Sequence, residues 1–430
     1  MKQLITAIAL VAAISSCNTK KGPVTDTLFV DSLLSNYKIS EAQSINEKDI
    51  TFWKNKLDKA PVGFLEAQQY AGNLVARFHL YGDIKDLKAA DSILHWLNQQ
   101  YKEQDAGPLR TLAGYAILQH RFHEAYEDVQ KALALGSERY ASELLNFDAV
   151  FELGQDQLAK TILSKTRSTN EYGYFFRLSK YKHLVGELDS SIAAMKKATE
   201  LAGNSVALKQ TAISNTADLY MHAADPANAN KLYMQSIRMD ASDLHSLSGI
   251  GWIALVNDKN DTLAEKIFRF VQTKTKSPEP LLKLAQVAEQ RGDSIAEKKY
   301  AFEFINIVSD SMYGNMYNKY LVDLYSGFLN EPGKAVAIAE RELSNRTTPQ
   351  TYSWYVWSLF KNNQREKALA IYDKYVSGKP LEGLELYYMG KMMKEIGKGY
   401  NAEQYFKAAY RNRYDLSPAK QKDLEGLMNN

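Results

Sequence analysis

The sequence predicts an all-α fold, a solenoid of about ten stacked helix–turn–helix repeats. Three observations carry that prediction. Ala125 and Ala159 lie 34 residues apart, as do Ala368 and Ala402, and each opens the second half of one helical pattern. Apolar residues recur at three- and four-residue spacing nearly throughout the 430 residues. The pattern breaks at Gly-Asp, Gly-Glu, Asp-Pro and Asn-Asn pairs, which stop one helix and start the next. A solenoid also removes any need for the two or three compact domains that this length would otherwise suggest, because each unit contacts only its neighbours.

The clearest unit runs Leu112 to Leu135, LAGYAILQHRFHEAYEDVQKALAL. Ala113 and Ala125 are small residues on the two helices of the unit, so those helices can approach closely. Ala132 accepts the first helix of the next unit, and a larger side chain there would overpack by about 1–3 kcal/mol. This stretch resembles the tetratricopeptide repeat, whose signature positions match Leu112-Ala113, Phe122, Ala125 and Ala132-Leu133. That resemblance implies a right-handed superhelix whose first helices line a concave face.

The remaining units follow in order. Residues Val75 to Leu97 carry an early copy with Gly82-Asp83, Ala89-Ala90, Leu94 and Leu97. Later copies are marked by Leu178, Gly186, Ser191, Ile192 and Ala198; by Ala217, Tyr220, Ala229 and Tyr233; and by Leu284, Ala285, Gly292-Asp293 and Ala296. Ala335 and Ala339 belong to a unit opened by Tyr320 to Tyr325, and Trp354 to Leu359 with Ala368 and Tyr372 form the next. The last reads LYYMGKMMKEIGKGYNAEQYFKAA, with Met389-Gly390, Ala402, Phe406 and Ala409. The solenoid is expected over 66–418, ending at Ser417-Pro418, since proline cannot continue a helix. Two irregularities stand out: a 38-residue step from Ser191 to Ala229, and a long turn at Asn257-Asp258-Lys259-Asn260-Asp261.

Residues 1–17 read as an address. Lys2 precedes an apolar run from Leu4 to Ile14, too short to span a bilayer. Ile14-Ser15-Ser16-Cys17 resembles the bacterial lipobox, and Cys17 is the only cysteine in the chain. The resemblance implies cleavage before Cys17 and lipid attachment there, with Asn18 favouring the outer membrane; it does not say which face. Residues 18–27 are expected to form a flexible leash. Helices within 28–65 are expected to cap the first unit, and a polar helix over 419–430 to cap the last.

Charge and motifs narrow the function. With 53 Lys and Arg against 50 Asp and Glu the net charge is +3, and loss of Lys2 leaves +2. A nucleic-acid binder would show a basic stripe, so none is expected as partner. Lys391, Lys394 and Lys398 are the densest basic cluster. His120, His123 and Glu124 come nearest to a metal set, but their spacing is not that of the H-E-x-x-H helix. No G-x-S-x-G, phosphate loop or Gly-rich dinucleotide turn is present, so neither enzyme activity nor a cofactor is expected.

The family's outward-pointing first-helix positions, carried over residue by residue, give Arg110, Leu144, Asp148, Phe176, Lys180, His183 and Asp218. Further along they give Tyr317, Tyr320, Trp357, Lys361, Tyr387, Lys391 and Lys394. The set turns aromatic and basic toward the C-terminus, and aromatic anchors suit binding surfaces. The expected function is a non-catalytic, lipid-anchored scaffold that binds a protein or extended peptide in its concave groove, within an envelope complex. The alternative is a glycan-binding outer-membrane lipoprotein of the SusD type, using the 27 Tyr, 16 Phe and 5 Trp for sugar stacking.

Overall fold

The computed structural model describes residues 22–60, 63–397 and 399–429. The expected signal peptide with Cys17, and residues 18–21 of the expected leash, lie outside them. Two leading helices, α1 (Thr27–Ser35) and α2 (Glu41–Lys59), precede ten helix pairs. The first five are α3/α4 (Phe64–Tyr81, Ile84–Gln100), α5/α6 (Ala106–Leu118, Phe122–Leu135), α7/α8 (Arg139–Glu152, Asp156–Lys165), α9/α10 (Tyr172–Leu184, Leu188–Leu201) and α11/α12 (Val206–His222, Pro226–Met239). The next five are α13/α14 (Leu244–Val256, Asp261–Lys274), α15/α16 (Glu279–Arg291, Ser294–Val308), α17/α18 (Asn318–Ser326, Pro332–Asn345), α19/α20 (Pro349–Lys361, Arg365–Tyr375) and α21/α22 (Gly383–Ile396, Ala402–Arg411). A final helix, α23 (Pro418–Asn429), ends the described residues. Among the described residues there is no strand.

The seams explain the repeat. The fourth residue of the second helix is Ala125, Ala159, Ala229, Ala264, Ala335 or Ala368 in six units, each with no exposed surface. Ser191 takes that place in α10, where its hydroxyl and that of Ser179 each bond to the other residue's carbonyl, at 2.9 and 2.8 Å. Such a pair lets a polar residue be buried without losing its hydrogen bond. Ala402 does not share the register, because it is the first residue of α22 and only partly buried. In that unit the small residue lies on the first helix instead: a Cβ on Gly390 would come 2.6 Å from the Phe406 ring. The turn chemistry holds locally, with Gly82 and Gly292 left-handed after a helix and Asp83 and Asp293 capping the next.

Both irregularities have a structural form. Helix α11 has 17 residues where α9 and α13 have 13, and this extra turn accounts for the 38-residue step. The residues Asn257 to Asn260 make a four-residue connection between α13 and α14.

Successive superhelical turns touch along their edges. Tyr81 O accepts from Thr275 Oγ1 at 2.8 Å, and Leu153 O accepts from Thr347 Oγ1 at 3.3 Å, both across 194 residues. His222 meets Asp415 at 2.8 Å at nearly the same separation. In each case the end of a first helix abuts a connection between units. Gly82 and Gly154 permit the approach. Each has positive φ, and a Cβ would lie 2.8 Å from Ser277 and 3.0 Å from the Thr347 backbone respectively. These contacts join the edges of the concave face at three places.

The chain ends differ from expectation. Helix α2 packs on α3, but α1 packs on α14, far from the first unit. Its Val30 is fully buried in the core shared with α14, and Phe29, Leu33 and Leu34 pack against that core. Apolar burial on the middle of the solenoid outcompetes capping of its end. The leash is fixed from Val24, whose backbone N–H donates to Asp258 at 2.8 Å. Helix α23 packs on α22 and also reaches across to α15. Among the described residues no helix is long and apolar enough to cross a membrane.

Candidate functional site

First helices α15, α17, α19 and α21, together with α23, surround a cavity of 490 Å3, with α16 contributing Glu297 and Ala301. Five of the expected groove residues meet there: Tyr320, Trp357, Lys361, Tyr387 and Lys391. Each sits on a first helix and faces inward because the second helices take the outer layer.

The aromatic wall is locked by its own contacts. Trp357 and Tyr388 stack with centroids 4.5 Å apart and planes 13° from parallel. The Tyr388 hydroxyl donates to Asp323 and that of Tyr387 to Asp423. Burial and these carboxylates push both phenols well above their ordinary value. Lys391 joins Asp423 at 3.0 Å and Lys420 meets Asp323 at 3.5 Å, so α23 is held over the cavity by two ion pairs. Lys361 has its ammonium 5.7 Å above Trp357. The indole N–H of Trp357 is buried and has no hydrogen-bond partner among the described residues, and neither has Oε1 of Gln286 on the facing helix.

The opposite wall is electrostatically strained. Burial, with Glu289 adding to it, pushes the Glu297 carboxyl up to about 7, and Lys420 only partly offsets this. Lys283 is pushed down to about 8 by burial, against the pull of Glu279. Its ammonium lies 3.7 Å from the Trp252 ring centroid, a cation–π contact that partly replaces water.

Nine of the fourteen expected groove positions lie elsewhere, Tyr317, Phe176 and Lys394 among them. Tyr317 is 9% exposed and packs edge-on against Phe304 and Tyr313, so it is interior packing. Phe176 stacks on Tyr172 and joins the core of Ile192 and Met195 in the fourth unit. Lys394 is exposed and absent from the cavity wall. Asp148 and Asp218, also expected to point outward, are bonded to Arg177 and to His245. His120 and His123 serve the contact between superhelical turns. His123 Nε2 lies 3.1 Å from Ser344 O, and burial with nearby Arg346 pushes His120 down to about 4. Among the described residues no three His, Cys, Asp or Glu side chains are placed to hold a metal.

Register could have found more of the site. Lys283 is the fifth residue of α15, as Tyr387 is of α21. Glu297 stands fourth in α16, where six other units carry alanine. Asp423 and Lys420 carry no such signal, because their place in the cavity depends on where α23 comes to rest.

Comparison with solved structures returns helical proteins at low identity. A structure of pilF from Pseudomonas aeruginosa matches 51% of this chain and 98% of its own, at 10% identity and a TM-score of 0.37. A tetratricopeptide repeat protein from Parabacteroides merdae matches 68% of this chain and 99% of its own, at 15% identity and 0.34. A human IFIT1 dimer with PPP-AAAA matches 78% of this chain and 77% of its own, at 13% identity and 0.48. No family model matches the sequence, and no curated protein matches it.

Proposed function

We propose that this protein is a non-catalytic scaffold, lipid-anchored through Cys17 in the outer membrane, that holds a segment of a partner protein in its C-terminal cavity within an envelope complex. The observation that carries this reading is the convergence of Tyr320, Trp357, Lys361, Tyr387 and Lys391 on one 490 Å3 cavity. A space of that size suits one or a few side chains rather than a long extended peptide. The roles divide by exposure. Trp357 and Tyr387, at 5% and 4% exposed, form the fixed wall, while Tyr320, at 41%, is free to meet a ligand.

The glycan reading is weaker on this geometry. Sugar stacking needs a flat exposed ring, whereas Trp357 and Tyr388 cover each other's faces.

Crosslinking in intact cells, with and without the double substitution Tyr320→Ala and Lys361→Ala, tests the proposal. The expected result is a discrete crosslinked partner that is lost in the double variant while thermal stability is retained. An unchanged crosslinking pattern would remove the cavity from the binding reaction.

A further inference from the structure

The α13–α14 connection holds segments near both ends of the described residues. On one side, Asp258 accepts from the backbone N–H of Val24 and of Thr25, each at 2.8 Å, and from the Thr25 hydroxyl at 2.6 Å. Asn230 on α12 donates to Val24 O at 2.9 Å. Helix α1 continues the attachment, with Asp31 paired to Lys266 at 2.7 Å and Arg238 over the Phe29 ring. On the other side, Lys259 donates to Gln421 Oε1 at 2.7 Å, on the helix that roofs the cavity, and Asn257 Oδ1 accepts from the Tyr414 hydroxyl.

We infer that this connection is a membrane-orienting junction: it holds the bilayer against the middle of the solenoid, at α12 and α14, and keeps the cavity roof beside the anchor. The inference rests on the proposed lipid attachment at Cys17. Six residues, Asn18 to Pro23, separate that cysteine from clamped Val24. Seven Cα steps reach at most about 25 Å when fully extended. A leash ending at the first unit would leave the solenoid free to swing on one end. The clamp at Asp258 instead fixes the point of attachment midway along it. The occupant of this face is a lipid surface, chosen by the length of chain before the clamp and where that chain ends. Leu28, 82% exposed on α1, stands on the same attachment.

The test uses mature lipidated protein on vesicles containing a bromine-bearing phospholipid, which quenches a nearby fluorophore. Because Cys17 is the only native cysteine and carries the lipid, a single engineered thiol can be labelled. Thr262→Cys reports from exposed α14, and Lys160→Cys from exposed α8, three units away. Strong quenching at Thr262→Cys and none at Lys160→Cys is expected. That contrast should be lost when about a dozen Gly and Ser residues are inserted before Pro23, a change that leaves the folded part untouched. Equal quenching at both sites, or a contrast that survives the insertion, would overturn the inference. Sedimentation with vesicles is read separately: protein left in the supernatant would sink the lipid anchor itself, and this orientation with it.

Discussion

Glu297 shows how one side chain can be marked by its register. It occupies the fourth position of a second helix, where close packing otherwise calls for alanine, and it lies in the cavity wall with its carboxyl raised to about 7. The sign of the consequence is definite. The folded state holds that proton more tightly than the unfolded chain, so the carboxylate costs nothing below about 4.5 and its full penalty above about 7. Glu297→Gln should therefore raise the melting temperature at pH 8 and leave it unchanged at pH 4; thermal melts at the two values check this. Trp357 behaves in the opposite way. It is 5% exposed and stacked on Tyr388, so Trp357→Ala should destabilise by about 3–5 kcal/mol, measured by denaturant unfolding. Loss of binding in that variant would not separate contact from fold, which is why Tyr320 and Lys361 are the sharper probes. Sequence register placed five of the fourteen expected groove positions at the cavity. It missed Tyr317 and Phe176 because an aromatic ring that lines a face and one that fills a gap have the same spacing. It missed Lys394 because the cavity closes before the last turn of α21.

At the scale of elements, local signals carried the helices and long-range packing decided where the ends went. Small seam residues, Gly-Asp turns and capping aspartates are all legible over a few residues. The lengthened α11 left its trace as a 38-residue step. The destination of α1 had no local signature, because Val24 and Asp258 are 234 residues apart. Helix α23 was legible as a helix but not as the roof of a cavity. Its Leu424 is fully buried in the C-terminal core, so Leu424→Ala should cost about 2–5 kcal/mol and loosen the roof, seen as faster amide exchange in α23. The swapped seam of the last unit gives a second check. Gly390→Val should destabilise by about 1–3 kcal/mol, because its side chain would enter the Phe406 ring, in spite of any gain from removing a helical glycine. Equilibrium unfolding of the single variant measures it.

For the whole molecule, edge contacts across 193 to 194 residues turn a string of neighbours into one connected body. A solenoid held only by adjacent units unfolds in segments. Here Arg346 joins units far apart: it pairs with fully buried Glu342 at 3.0 Å and with Glu152 at 3.4 Å. Arg346→Ala would strand the Glu342 charge, costing about 3–5 kcal/mol, and should split one unfolding transition into two by calorimetry. His222 adds a pH term. Burial would lower it, but Asp415, Glu382 and Asp218 outweigh that and raise it to about 9. Its contribution is present below about 6.5 and lost as pH rises to about 9. The stability difference between the native protein and His222→Gln should vanish over that window.

The central claim is that the cavity ringed by α15, α17, α19, α21 and α23 receives a segment of a partner protein. The most direct measurement places a photoreactive amino acid at position 320 in the full chain, irradiates intact cells and maps the adduct by mass spectrometry. The account predicts one partner, joined through a single short segment, and no adduct when the same probe stands at position 176. Capture from position 176 without capture from position 320, or adducts scattered over unrelated proteins, would contradict it.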